Sequence, residues 1–355
     1  MLSHIGLCVI PVVVAPAVRA EALFEDTLVV AVERGPFGPR GMPGDIEVLA
    51  DGTLLMAYTR DGIQSRTSAD EGRTWSEEQT LVPNPSGASK QGYYCHPSFV
   101  RAANGDILLS YIYGSEALPY YGHNYYRRSS DEGKTWSEPF ILTPYPGYTI
   151  VHNDKITRLS SGRIVAAYER KKRWPDSNDH AGYVAGTFYS DDNGYSWQMS
   201  SSEVDMDPME AQEAHVEALK DGRLLMIFRT YSGFVGRAFS GDRGAVWSPG
   251  ELVKELPISA NACAVTVKRI PTTGDLLLIR TTAGEGGRRT PLVSVISRDE
   301  GQTWGNPRTL AGDPDDDYGY QSVTFLPEKN VCAMSYHARD GLHVARVGIE
   351  WFYGE

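Results

Sequence analysis

No stretch of about 20 apolar residues lies in the body of this 355-residue chain, which excludes an integral protein with membrane-spanning helices. Cysteine is scarce, with Cys8, Cys95, Cys263 and Cys332 only, and no C-x-x-C pair occurs. Neither a zinc site, a redox pair nor a disulfide framework has support from that set. Positive charge is in deficit: 34 Lys+Arg against 45 Asp+Glu give a net charge of −11. The lack of a basic face disfavours a general nucleic-acid binder, but a local arginine cluster would be enough for a small anion. No G-x-S-x-G elbow and no phosphate-binding loop appears, so no serine nucleophile, nucleotide or other cofactor is called for. Long helical periodicity, linkers and low-complexity segments are missing too.

What is abundant points one way. The chain has 36 Gly, 21 Pro, 20 Tyr and 7 Trp, a composition of many turns and aromatic strands. Hydrophobic residues make up 41% and charged residues 22%, enough for a packed core. Residues 1–20 read as a secretory signal, with an apolar stretch from Ile5 to Val18 and a small-residue site at Val18-Arg19-Ala20 before Glu21. A secreted or periplasmic protein is expected, with residues 21–355 as one domain.

The organising feature is a repeat. An octet S-x-D-x-G-x-[TS]-W recurs at Ser68–Trp75, Ser129–Trp136, Ser190–Trp197, Ser240–Trp247 and Ser297–Trp304, with Val246 replacing the hydroxyl residue in the fourth. Its chemistry is that of a tight turn: Asp accepts from turn N–H groups, Gly supplies positive φ and Trp packs the loop onto its sheet. Each octet is preceded by a turn between two apolar runs, at Asp51-Gly52, Asn104-Gly105, Ser161-Gly162, Asp221-Gly222 and Thr273-Gly274. A sixth such turn, Glu328-Lys329-Asn330, has no octet after it. Strand, turn, strand and a further hairpin, six times over, predict an all-β, six-bladed β-propeller of four-stranded antiparallel blades. Thr27–Glu33 is expected to pair with Leu342–Trp351 and close the ring.

In a propeller, equivalent repeat positions meet at one end of the central channel. Nine residues before the turn glycine stand Pro43, His96, Asn153 and Glu213, and ten before Asn330 stands Tyr320. Seven or eight residues after the turn come Arg60, Tyr113, Arg170 and Arg229. Both sets fall at the end of the hairpin opposite the turn. Polar residues converging on an axis where small apolar ones would suffice read as a ligand site. Glu213 and Arg229 face each other across one hairpin, as either a site pair or a structural ion pair. Of Arg288 and Arg289, neighbours on a strand, at most one faces the site.

With these residues in view, the chain resembles the sialidase (neuraminidase) superfamily over about residues 27–353. The octet is similar to that family's Asp box, and the six-blade count agrees. Glu213-Ala-His-Val, the turn at Asp221-Gly222 and Phe228-Arg229 match the family's Glu and following Arg. Arg289, eight residues before Ser297, matches its late arginine, and Gly319-Tyr320-Gln321-Ser322 matches its tyrosine strand.

The resemblance implies a secreted exo-glycosidase acting on a terminal acidic sugar, sialic acid or similar. Tyr320 would be the nucleophile, Glu213 its base, and Arg229 and Arg289 two arms of a carboxylate clamp. Arg40, in Arg40-Gly41-Met42-Pro43, stands for the third arm, with Arg60 as its rival. Asp61 is either the acid/base or a plain turn residue. Where the family often places a Glu after Leu-Tyr in the last hairpin, this chain has Ser335-Tyr336-His337.

Further polar residues at site-facing positions are His96 and the run His152-Asn153-Asp154, counted as substrate contacts. A histidine there would serve as a general acid near neutral pH. Tyr120-Tyr121 with His123, and Trp174-Pro175-Asp176, lie in loops fit for an aromatic rim. The alternative readings are a hydrolase or lyase for another uronic-acid-containing polysaccharide, and a non-catalytic carbohydrate-binding propeller. The partner in every case is an acidic glycan.

Overall fold

The computed structural model describes residues 22–32, 42–85, 92–115, 121–143, 147–173, 182–258 and 265–354. The chain forms six antiparallel sheets in sequence order, and their inner strands touch in a closed ring. Those inner strands are Gly44–Val48, Tyr93–Arg101, Ile156–Arg158, Gln212–Ala218, Thr266–Arg269 and Gly319–Leu326. The fourth blade is typical: Gln212–Ala218, Leu224–Arg229, Phe234–Ser240 and Glu251–Pro257 pair in order. In the third blade the innermost and outermost positions are each split into two short strands. The fold is the expected six-bladed β-propeller.

The ring closes by pairing Phe24–Ala31 with Gly341–Gly348, so the last blade takes its outer strand from the start of the chain. This pairing stops short of the expected range. Residues Ile349–Tyr353 leave the sheet as one helical turn, and Glu33 lies outside the described residues. The apolar cluster at the seam has Val30, Ile46, Leu54, Met56, Leu342 and Val344 almost fully buried. It is built like the cluster between the third and fourth blades, around Val165, Val216, Met226 and Phe228.

Each octet folds as its chemistry predicts. Asp131 Oδ1 accepts the N–H of Thr135 at 2.9 Å, and Oδ2 accepts its hydroxyl at 2.6 Å. The N–H of Gly133 donates to Ser129 Oγ at 2.8 Å. Asp70, Asp192 and Asp299 repeat the pattern, and Asp242 keeps the backbone half of it beside Val246. The octets also join blades. Tyr126 of the second blade donates to Gly194 O in the third, Thr187 of the third to Gly244 O in the fourth, and Arg237 of the fourth to Gly301 O in the fifth.

Along the axis, buried polar side chains bridge blades that are far apart in sequence. Lys155 Nζ of the third blade donates to Val265 O at 2.9 Å and Thr266 Oγ1 at 3.2 Å next to the fifth. Asp45 of the first blade accepts the N–H of Phe99 from the second at 2.7 Å. These bonds tie the blades to one another through buried polar groups.

Candidate active site

Three inner strands break their regular pairing at the same repeat position. Register shifts fall between Cys95 and Ser98, between Gln212 and His215, and between Gly319 and Ser322. Inside them, His96, Glu213 and Tyr320 have left-handed backbone with φ of 53°, 51° and 48°. Such a conformation costs a non-glycine residue about 1–3 kcal/mol and clusters where a side chain must be re-aimed. The side chains of all three reach one cavity at the mouth opposite the octets. It has a volume of about 460 Å³, the size of a small-ligand pocket.

The geometry centres on Tyr320. Its hydroxyl donates to Glu213 Oε1 at 3.2 Å. Arg229 Nη1 reaches the same oxygen at 3.3 Å, and its Nη2 donates to the hydroxyl of Tyr231 at 3.2 Å. The Arg289 guanidinium lies 5.5 Å from the centre of the Tyr320 ring and is almost fully buried. Burial alone would raise the Glu213 carboxyl. Arg229, with His152, Arg289 and Lys155 behind it, outweighs burial and holds the group below the usual carboxylate range. A base that stays ionised touches a phenol, and cations converge beside both.

A second group stands against the same tyrosine. The His96 ring packs edge-on to Tyr320 at 4.8 Å and to His152 at 4.7 Å. His96 Nδ1 and His152 Nδ1 are 3.2 Å apart, and His152 Nε2 lies 3.3 Å from Glu169 Oε1. Glu169 Oε2 accepts the backbone N–H of Glu213 at 2.8 Å. Burial first, then the neighbouring His152, pushes the His96 imidazole well below its ordinary value. Tyr93, Tyr121, Tyr148 and Tyr183 from the second and third blades add aromatic faces to the wall, alongside Cys95, Ile112 and Ile150.

The residues expected at the site divide. Tyr320, Glu213, Arg229 and His96 meet at the cavity, with Arg289 against the tyrosine ring. Asn153 is just beneath, its amide donating to Tyr320 O at 2.8 Å and Gly44 O at 3.1 Å, so it holds the tyrosine's backbone. Asp154 turns the other way. It pairs with Lys268 at 2.6 Å and accepts the N–H of Val323 at 3.0 Å, facing a smaller cavity at the opposite mouth. Asp61 is exposed in a tight turn with Gly62, its carboxylate accepting from Asn84 at 3.2 Å, away from the cavity wall. Arg40, Tyr120, Trp174-Pro175-Asp176 and the proposed signal lie outside the described residues.

Arg60 is exposed and pairs with Glu78 at 3.3 Å, and Arg170 pairs with Glu203. Both stand eight residues after their turn glycines, whereas Arg229 stands seven after. Side chains alternate along a strand, so one residue of slip changes the face. The strict count of seven yields Thr59, Ile112, Glu169, Arg229 and Thr281. Ile112 and Glu169 line the cavity, and Thr59 Oγ1 accepts the N–H of His96 at 2.9 Å. Glu169 is therefore legible in the repeat, one place before Arg170.

The profile of the BNR repeat-like domain family matches residues 59–331. A sialidase from Micromonospora viridifaciens is 26% identical over 349 residues, covering 87% of this chain and 51% of its own length. A sialidase from Bacteroides fragilis is 28% identical over 216 residues, covering 58% of this chain and 37% of its own. The chain thus spans about half, or less, of the curated relatives it matches. In fold, the leech intramolecular trans-sialidase superposes with a TM-score of 0.71 at 15% identity, covering 93% of this chain and 71% of its own. Six blades, the repeated octets and the profile over most of the length place this chain in the BNR repeat-like domain family of the sialidase superfamily.

Proposed function

We propose that this chain is an exo-acting glycoside hydrolase of the sialidase type, which removes a terminal acidic sugar, sialic acid or a close analogue. The observation that carries the reading is the contact of the Tyr320 hydroxyl with the Glu213 carboxylate, beside Arg229 and Arg289. The relatives named sialidase agree with it. A sugar carrying a carboxylate on its anomeric carbon would repel a carboxylate nucleophile. A phenol avoids that repulsion, and tyrosine is the known nucleophile of sialidases among glycosidases. Guanidinium groups recognise the substrate carboxylate through paired N–H donors.

In this reading Glu213 takes the phenol proton as Tyr320 Oη bonds to the anomeric carbon and the glycosidic bond breaks. A separate acid/base group gives a proton to the leaving oxygen and takes one from the water that then displaces the phenolate, Glu213 returns its proton to the phenolate, and the sugar leaves with retained configuration. The aromatic wall supplies faces for the sugar ring and its aglycone.

The test is direct. Purified protein is incubated with 3′-sialyllactose and, separately, with uronosides, and released sugar is measured for the wild type and Tyr320→Phe. Release of sialic acid that disappears in the variant supports the reading. Turnover of uronosides alone moves the substrate to another acidic sugar. Saturable binding with no product after long incubation makes the propeller a lectin-like module and removes the enzyme.

A further inference from the structure

With Asp61 off the cavity wall, the leaving group needs another proton donor. We propose that Glu169, His152 and His96 form a proton relay that ends in the cavity and serves as its acid and base. The inference rests on the glycosidase reading and goes beyond it, because it assigns the second half of the chemistry to three side chains outside the tyrosine–glutamate pair.

The geometry has the parts of a relay in order. Glu169 is held from behind by the N–H of Glu213, and its second oxygen lies 3.3 Å from His152 Nε2 as an ion-pair contact. His152 is almost fully buried and presents Nδ1 to His96 Nδ1 at 3.2 Å. His96 is partly exposed, lines the cavity and is fixed by its N–H bond to Thr59 and its ring contact with Tyr320. Its left-handed backbone marks a place where the strand departs from its path to present the ring.

The protons balance as follows. The working form of the proposed relay carries one extra proton on His152, between the Glu169 carboxylate and His96, with Nε2 toward Glu169 and Nδ1 toward His96. As the glycosidic bond breaks, the leaving oxygen takes the Nε2 proton of His96. His96 Nδ1 takes the proton of His152 Nδ1, and His152 becomes neutral. Attack by water reverses the shifts, with the water proton entering at His96 Nε2. Burial and His152 disfavour a charge on His96 itself, which suits a group that passes a proton on. The other groups acting on His96 are Lys155 from the third blade, His337 from the sixth and the Asn153 side chain, which favours its charged form; Tyr320 packs on its ring, and Glu213 and Arg229 line the same cavity.

The experiment compares two sialosides, 3′-sialyllactose with a poor leaving group and 4-methylumbelliferyl sialoside with a good one. His96→Asn and His152→Asn are expected to lose at least about 10²-fold in kcat/KM, which reports the step that expels the leaving group, on the lactoside and only a few-fold in kcat/KM on the aryl substrate. Glu169→Gln is expected to move the alkaline limb of the lactoside pH profile to lower pH by about one unit or more, since it removes the carboxylate that holds the proton. In the resting protein, imidazole NMR should show the same downward move in the histidine titrations, without any substrate. Equal losses on both substrates, an unmoved limb or unmoved titrations overturn the relay. Failure of the underlying reading looks different: either Tyr320→Phe remains active, or the wild type cleaves neither sialoside. Melting temperatures within a few degrees of wild type exclude misfolding as the cause.

Discussion

The two ends of each blade share one backbone and differ in what is repeated. At the octet end the same bonds recur five times, from Ser68–Trp75 round to Ser297–Trp304, and each octet turns about an Asp that accepts from the backbone four residues on. At the cavity end the equivalent inner-strand positions hold His96, Asn153, Glu213 and Tyr320, no two alike. Three of these four have left-handed backbone, as does Asp154 one place after Asn153. One end uses repetition to hold the ring. The other uses the ring's symmetry to bring unlike groups from distant parts of the chain to one point. Stability and chemistry are thereby separated by the length of a strand, and substitutions at the two ends should report on different quantities.

The largest effect belongs to the cavity end. Tyr320→Phe removes one oxygen whose bond is to Glu213, and is expected to lower kcat by at least about 10³-fold while the urea midpoint stays unchanged. A fully active variant would falsify the nucleophile assignment. Next comes Arg289→Lys, which keeps the charge but loses the planar fork. It should cost about 10–100-fold in kcat/KM, in line with a loss of about 1.5–3 kcal/mol in charge-assisted bonding. An unchanged kcat/KM would take Arg289 out of the clamp.

At the octet end the expectation reverses. Gly244 has φ of 92°, and a Cβ there would meet only ordinary contacts at 3.4–3.5 Å, so Gly244→Ala isolates the backbone cost. It should reduce unfolding free energy by about 1–2 kcal/mol and leave kcat alone. A fall in kcat at unchanged stability would undo the division between the ends.

Two pH effects are smaller. Bonds from Thr74 and Ser68 lower the Asp70 carboxyl to about 2, and the matching bonds from Thr135 and Ser129 do the same for Asp131. Their contribution to stability is complete above the unfolded value of about 3.9 and is lost as pH falls toward about 2. At the ring closure, burial would lower the His343 imidazole, but hydrogen bonds with Asp26 at 3.0 Å and Asp340 at 2.9 Å outweigh it and raise the group. That contribution is complete below about 6.5 and is lost as pH rises through the higher folded value. His343→Asn should flatten the neutral limb of a stability profile and leave the acid limb in place.

The two ends also differed in how plainly they could be read. Trp75, Trp136, Trp197, Trp247 and Trp304 announce the blades because a tight turn admits few residues at its Asp, Gly and Trp positions. Counting from the turn glycines gives Glu213, His96 and Arg229, and counting from Asn330 gives Tyr320, because register along a hairpin is a local property. The count failed where it was allowed to drift by one. Arg60 and Arg170 stand one place after Thr59 and Glu169, and alternation pairs them instead with Glu78 and Glu203. Asp154 sits next to Asn153 in sequence, yet its carboxylate goes down the axis to Lys268.

What the amino-acid order determines here is everything that repeats: turn chemistry, strand alternation, the number of blades and the end at which unlike residues gather. What only the tertiary structure decides is which of those gathered residues touch. Tyr320 lies 107 residues from Glu213 and His96 lies 56 from His152. No local rule sets the distance between strands of different blades. That distance depends on ring closure and on how the polar side chains along the axis pack, terms that exist only once all six sheets are in place.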